Sequence, residues 1–477
     1  MSRSVLLDAP AAEAVTPGTA ATSDDRSPRR ARWRARADEW RQPETVITLL
    51  VVAGCAIFTF FQLQPSKIFA LTTPAGGDMG AHVWLPAYVK DHLLPHLRIT
   101  GWTPDWYAGF PALTYYFPLP IVAIALVSYV IPYDVAFKLV SIAGLVTLPI
   151  AAWAFGRLSR MAFPGPACLA VATLPFLFSR DFTIYGGNIA STMAGEFSFS
   201  ISLSLALVFL GLVARGLETG KGRALAAVLL CATALCHVLP TFFAVGGAIV
   251  LTAMRPDLRR LRWTVPVFAA GGLLAAFWAL PFELRLPYAT DMGYQKLTNY
   301  MSSLFPGKVL WLFLLAGIGL VLSLARRRRL GTFLGIMTVL AALVFRLAPQ
   351  ARLWNARVLP FWFLCLYLLA GVALAEVGVL VAEGTAKDIL ATRRALIPVP
   401  VVAILVSLIW VGYPLHILPG GHTSATTGKY SWLGISTHDD SYVPGWVHWN
   451  FSGYESSGKA RRNEYFALIA KMKAIGS

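Results

Sequence analysis

Asp78 and His82 stand four residues apart in Thr73-Pro-Ala-Gly-Gly-Asp-Met-Gly-Ala-His82, so a helix starting near Asp78 would present both from one face. A carboxylate so placed can act as a general base. The pair could also bind a divalent cation, but two ligands are too few to assign one, and the metal stays unknown. A position after two glycines suits a helix N-cap equally well. Further along, Asp181 follows Arg180, which reads as a surface ion pair, whereas Glu196 opens an apolar run, where an acid is costly unless it faces a polar cavity. His237, in Cys236-His-Val-Leu-Pro240, reads first as a histidine bonded to backbone freed by the proline, and Glu283 and Arg285 read as cavity-wall residues. Arg346, Arg352 and Arg357 punctuate the approach to another apolar run. A guanidinium fork suits a phosphate, and snorkelling to lipid headgroups is the plainer alternative.

The elements that must hold these residues follow from composition. The 477 residues are 56% hydrophobic and 14% charged, against about 25% charged in an ordinary soluble domain. So much apolar surface requires a bilayer as solvent, and the chain reads as a polytopic membrane protein. The net charge of +17 would suit nucleic acid, but the basic residues sit in short clusters between apolar runs, the pattern of the positive-inside rule, so no nucleic-acid partner is expected. The five cysteines lie within apolar stretches without CxxC spacing, which excludes a disulfide frame or a structural zinc site.

Residues 1–44, rich in Ala, Pro, Ser and Arg, read as a disordered basic cytoplasmic arm, and Val46–Leu63 as a first span and signal anchor. Residues 45–414 form the transmembrane domain, with a first outer loop at 64–134, and 415–477 an extracytoplasmic tail. Each apolar run has helical rather than strand length, so the fold class is all-α. Residues 119–131 are too few for a ~30 Å bilayer. Ala224–Ala253 could be one long helix or two spans hinged between His237 and Pro240. Laying 119–131 along the outer surface and splitting 224–253 places 24 of the 41 Lys and Arg inside, against 19 for the opposite assignment. This predicts about eleven transmembrane helices, the N-terminus cytoplasmic and the C-terminus extracytoplasmic in a cell membrane, with every candidate residue facing outward.

The long first outer loop is rich in aromatics, among them Trp102, Tyr115 and Tyr116, which argue for an ordered, functional segment lining a substrate cavity. The first span, Gly-Gly-Asp-Met-Gly-Ala-His, the Tyr-Tyr-Phe-Pro-Leu-Pro entry to a short surface helix, and Leu-Trp-Asn-x-Arg-x-Leu-Pro-Phe together resemble the GT-C glycosyltransferases, specifically the membrane family labelled 6-pyruvoyl-tetrahydropterin synthase-related. The pterin label looks like a misnomer, since no compact soluble fold with a three-His zinc site is visible. The resemblance spans most of 46–455. It implies a GT-C-like cell-envelope enzyme that moves a sugar from a polyprenyl-phosphate donor to a glycan, lipid or protein acceptor. It places Asp78 at the reaction centre, a second acid at Asp181 or Glu196, and the donor phosphate on Arg357, where Arg352 or His82 would help to stabilise the charge on the departing phosphate. It also implies a larger outer domain after the tail, where this chain ends soon after an amphipathic stretch, Arg461 to Ala474, and so reads as shortened. The rival readings are a lipid-linked-glycan flippase or transporter and a non-enzymatic membrane scaffold. Spans almost free of charge and the lack of an internal repeat count against the transporter.

Overall fold

The computed structural model describes residues 42–106, 108–289, 294–349, 353–455 and 462–476; most of the arm, Arg352 and Arg461 lie outside them. The chain divides into two units, 1–46 and 47–477. The second is mostly helical, with two small antiparallel sheets.

The principal helices are α1 (Pro43–Gln62), α2 (Pro118–Val127), α3 (Tyr133–Leu158), α4 (Gly165–Phe178), α5 (Phe197–Thr219), α6 (Arg223–Cys236), α7 (Val238–Ala253), α8 (Leu258–Arg285), α9 (Leu310–Ala325), α10 (Arg329–Leu347), α11 (Leu359–Thr385), α12 (Pro398–Leu415) and α13 (Val443–Phe451). Among the described residues eight helical segments are long and apolar enough to cross a membrane; α2, α4, α6 and α7 are shorter apolar helices. The faces of α8, α9 and α12 leave large apolar side chains such as Leu273, Leu314 and Val406 exposed, as lipid-facing helices do. In contrast, α5 and α11 are apolar on nearly every face and mostly buried, so they form the inside of the bundle.

The run from Ala224 to Ala253 resolves into two helices. His237 is extended (φ −170°, ψ 134°), and the break falls where a continuous helix would drive the Pro240 ring into the Cys236 carbonyl. As a third helical residue of α7, Pro240 sits where its missing N–H would have had no partner anyway. The helix α2, ten residues long, is too short to span and packs against α3 and α6.

Small residues let the interior helices approach closely. A Cβ on Gly144 of α3 would lie 2.2 Å from the Ser200 carbonyl carbon of α5, and one on Gly319 of α9 would lie 2.2 Å from the Leu369 carbonyl oxygen of α11. The Ser204 hydroxyl adds a 2.9 Å bond to the Gly144 carbonyl.

Contacts sort the helix termini into two ends. At one, Arg160 and Arg329 pair with Glu218 (3.2 and 3.0 Å), while Arg326 and Arg328 pair with Glu376 (3.5 and 2.9 Å), tying the last turns of α3, α5 and α9 to the start of α10 and the end of α11. At the other lie the first loop, the 179–196 loop, the His237 break and the entry to α11.

The first loop is ordered as short helical turns, Met79–His82, Trp84–Tyr88, Val89–Leu93 and Leu94–His96, followed by a hairpin pairing Gly101–Thr103 with Phe110–Ala112. The tail was expected only as a polar outer segment. Instead α13 folds back onto the loops: Asn450 Nδ2 donates to the Met193 carbonyl (2.6 Å), its carbonyl accepts from Ala75 N–H (2.9 Å), and the Thr72 hydroxyl donates to the Phe451 carbonyl (2.6 Å). The helix Arg462–Ile475, which covers most of the expected amphipathic stretch, buries no residue.

Candidate active site

Glu196 sits immediately before α5, and Arg357 lies in a single 3-10 turn, Asn355–Val358, immediately before α11. The two side chains form an ion pair in which each is about four-fifths buried. Beneath it the rings of Phe199 and Phe361, one from each helix, stack at 5.5 Å. The second terminal nitrogen of Arg357 donates to the Ile184 carbonyl (3.1 Å). Asn355 sets the turn: its amide donates to the carbonyls of Leu297 and Phe345 and accepts from Leu297 N–H (2.9 Å). A phosphate could reach the terminal nitrogens of this guanidinium only in competition with Glu196 and Ile184.

His237 brings a third segment. Its Nδ1 accepts from Leu239 N–H (3.2 Å), capping α7, which differs from the expected bond to backbone freed by Pro240. The ring proton of the neutral form therefore belongs on Nε2, which lies 3.7 Å from Glu196 Oε2. Burial opposes ionisation of Glu196, but the facing His237 and Arg357 outweigh it and hold its pKa below the ordinary glutamate value.

Asp78 comes from the first loop. It occupies the N-cap position of Met79–His82, yet its carboxylate makes no capping hydrogen bond. Its backbone does the positioning instead: the N–H donates to Ala194 O (2.8 Å), two residues before Glu196. Gly195 makes that approach possible, because at φ +121° a Cβ there would lie 2.8 Å from the Asp78 Cβ. The surrounding protein, and next the Glu196 charge, raise the Asp78 pKa above the usual carboxylate value against the pull of Arg357. The result is an exposed, unbonded carboxylate beside a tied-down one.

The wall is aromatic. The His82 ring lies 4.5 Å from Tyr116 and 5.6 Å from Phe197, and burial pushes its pKa down to about 4, so it is neutral near pH 7. The Tyr116 hydroxyl lies 3.3 Å from the Ser198 hydroxyl, and Phe117 packs against His237 at 4.3 Å. Trp278 of α8 donates to the Leu113 carbonyl (2.9 Å), fastening the first loop to that helix.

Six sequence-selected residues, Asp78, His82, Tyr116, Glu196, His237 and Arg357, thus meet at one place. Others do not. Asp181 accepts from the Ser179 hydroxyl (2.9 Å) rather than pairing with Arg180, whose guanidinium lies over the Tyr442 ring, and no contact among the described residues joins Asp181 to Asp78 or Glu196. Glu283 and Arg285 are exposed, and the Arg285 carbonyl accepts from the Tyr115 hydroxyl (3.0 Å). Trp102 is two-thirds exposed, with its carbonyl bonded by the Tyr88 hydroxyl, and Arg346 lies over the Tyr300 ring at 4.4 Å. Ser198, Phe117 and Asn355 were not singled out from sequence as site residues. Among the described residues no three His, Cys, Asp or Glu side chains are grouped to hold a metal ion.

Compared with protein-family models, this chain matches none, and no curated protein matches it either. Its function is therefore read from geometry.

Proposed function

We propose that the chain is an integral membrane glycosyltransferase with a GT-C-like arrangement of eleven crossings, transferring a sugar from a polyprenyl-phosphate donor to an extracytoplasmic glycan, lipid or protein acceptor. The observation that carries this reading is the free Asp78 carboxylate held against the buried Glu196–Arg357 pair at the mouth of an aromatic-walled site. Asp78 takes the proton from an acceptor hydroxyl. That oxygen bonds to the anomeric carbon with inversion as the bond to the phosphate oxygen breaks, and polyprenyl phosphate leaves with the electron pair. Arg357 supplies positive charge beside the departing phosphate, while His82 and Tyr116 wall the sugar site.

The decisive test supplies purified full-length protein in a bilayer with labelled polyprenyl-phosphate sugars and an envelope-glycan extract. Label in the acceptor together with released polyprenyl phosphate is the expected result. Movement of intact lipid-linked sugar across the bilayer without transfer would instead identify a flippase.

The crossings are supported by the two sorted ends: α4, α6 and α7 each join the arginine-rich end to the site end, as spans would. The arginine end is read as cytoplasmic. Arg180→Cys, an exposed site-end position, is expected to react with a membrane-impermeant thiol reagent in intact cells, and Lys221→Cys only after permeabilisation. The opposite pattern would invert the topology. Asn188, also in the 179–196 loop, is fully buried and unsuited to this test.

A further inference from the structure

At the end of the bundle away from Asp78, α3, α5 and α7 finish and α8 and α10 begin around a cavity of about 390 Å³. Its rim carries Arg160, Arg255, Arg259, Arg260 and Arg329, against only Glu218 and Asp257. Glu218 is already shared by Arg160 and Arg329, and Asp257 caps α8 by accepting from the Arg259 N–H (3.3 Å). Among the described residues the guanidinium groups of Arg255, Arg259 and Arg260 have no acidic partner. Positive charge at the cytoplasmic ends of spans needs no ligand to explain it, but three guanidinium groups gathered on one open depression without acidic partners among the described residues form a surface that suits an anion.

A second observation adds the other half of a ligand. The rim opens into a narrower crevice of about 80 Å³, shared through Glu218, Arg255, Arg260 and Arg329, and walled by Ala214, Leu217, Leu251, Met254 and Leu330. At its edge the Ser159 hydroxyl oxygen is buried without a hydrogen-bond partner. A guanidinium rim, an apolar throat and an unused hydroxyl, all at the termini of apolar helices, match a molecule with an anionic phosphate head and an apolar tail.

We infer that this cavity binds an anionic phospholipid of the leaflet it faces, the phosphate on Arg255, Arg259 and Arg260 and the first part of an acyl chain in the throat beside Leu251 and Met254. The inference rests on the helices crossing a membrane and is independent of the transferase reading.

The test uses delipidated full-length protein in detergent, with bound lipid counted by native mass spectrometry. Dioleoyl phosphatidylglycerol is compared with dioleoyl phosphatidylcholine, which has the same tails on a zwitterionic head, and inorganic phosphate is the competitor. Retention of the phosphatidylglycerol but not the phosphatidylcholine is expected. Joint Arg255→Gln and Arg260→Gln replacement should weaken it roughly tenfold or more, and Arg262→Gln, on an exposed residue outside the cavity, should not. Leu251→Trp, which fills the throat, should reduce lipid retention while leaving phosphate competition intact. If the double variant misfolds, the single Arg255→Gln, on an exposed side chain, carries the same comparison. Equal retention of both lipids, or an equal loss with Arg262→Gln, would overturn the inference. Complete displacement by inorganic phosphate alone would overturn it in favour of a soluble-anion site.

Discussion

Asp78→Asn is expected to lower sugar transfer by about 10²–10⁴-fold, the usual cost of losing a general base, while stability stays within about 1 kcal/mol of the parent. Asparagine keeps the size of the side chain, and the native carboxylate makes no capping bond whose loss would matter. The backbone bonds that seat the residue, its N–H donating to the Ala194 carbonyl and its carbonyl accepting from the Ala81 and His82 N–H groups, do not involve the side chain. In the parent, transfer should fall as pH drops through the raised Asp78 pKa, because protonation removes the base; in the variant this acid limb should disappear. Labelled-sugar transfer at several pH values, with the unfolding midpoint recorded in parallel, separates the outcomes. If the asparagine variant transfers normally, Asp78 is not the base and Glu196 becomes the carboxylate to test.

Arg357→Met should destabilise the protein by about 3–5 kcal/mol at neutral pH, because it leaves the Glu196 carboxylate buried without its cation. Adding Glu196→Gln should restore much of that loss, since the uncompensated charge is then removed as well. The pH dependence differs between parent and variant. The Glu196 pKa is held below its ordinary value in the folded parent, so the pair contributes its full stability above that ordinary value and loses it as pH falls through the folded one. Without Arg357 the His237 bond still holds the Glu196 pKa down but the guanidinium no longer does, so the pKa rises and the variant should lose less stability on acidification than the parent. Unfolding midpoints in detergent as a function of pH test this directly. Unchanged stability at neutral pH, with no recovery by the second substitution, would mean the pair does not hold the two helices together.

The ends of apolar runs were readable from the chain, and that is why Glu196 and His237 could be singled out, whereas Asp78 stood out by its spacing from His82 in a long outer loop and Arg357 by the cluster of arginines before an apolar run. Which ends meet was not readable. Nothing local to Arg357 or Glu196 says that α5 and α11 begin side by side, and the family resemblance offered Asp181 and Glu196 as equal alternatives, of which Asp181 bonds to Ser179 instead of joining the cluster. The break at His237 was written in Pro240 as one of two options, and the choice between them depended on charge balance. The support of the first loop by the tail was invisible, because Asn450 and Thr72 are unremarkable polar residues whose importance comes only from what lies opposite them.

That support has a consequence for the order in which the protein is made. The Thr72 hydroxyl and the Phe451 carbonyl it bonds are 379 positions apart, so the loop bearing Asp78 leaves the ribosome long before the helix that braces it. Lys138, early in α3, already ties the loop down through the Lys67 and Ala70 carbonyls (3.0 and 2.8 Å) before that helix exists. The nascent chain can therefore park its carboxylate loop near its final place during insertion. The frame around Asp78 closes only after α13 has been made, so a partly synthesised chain carries the residues of the candidate site without its full frame.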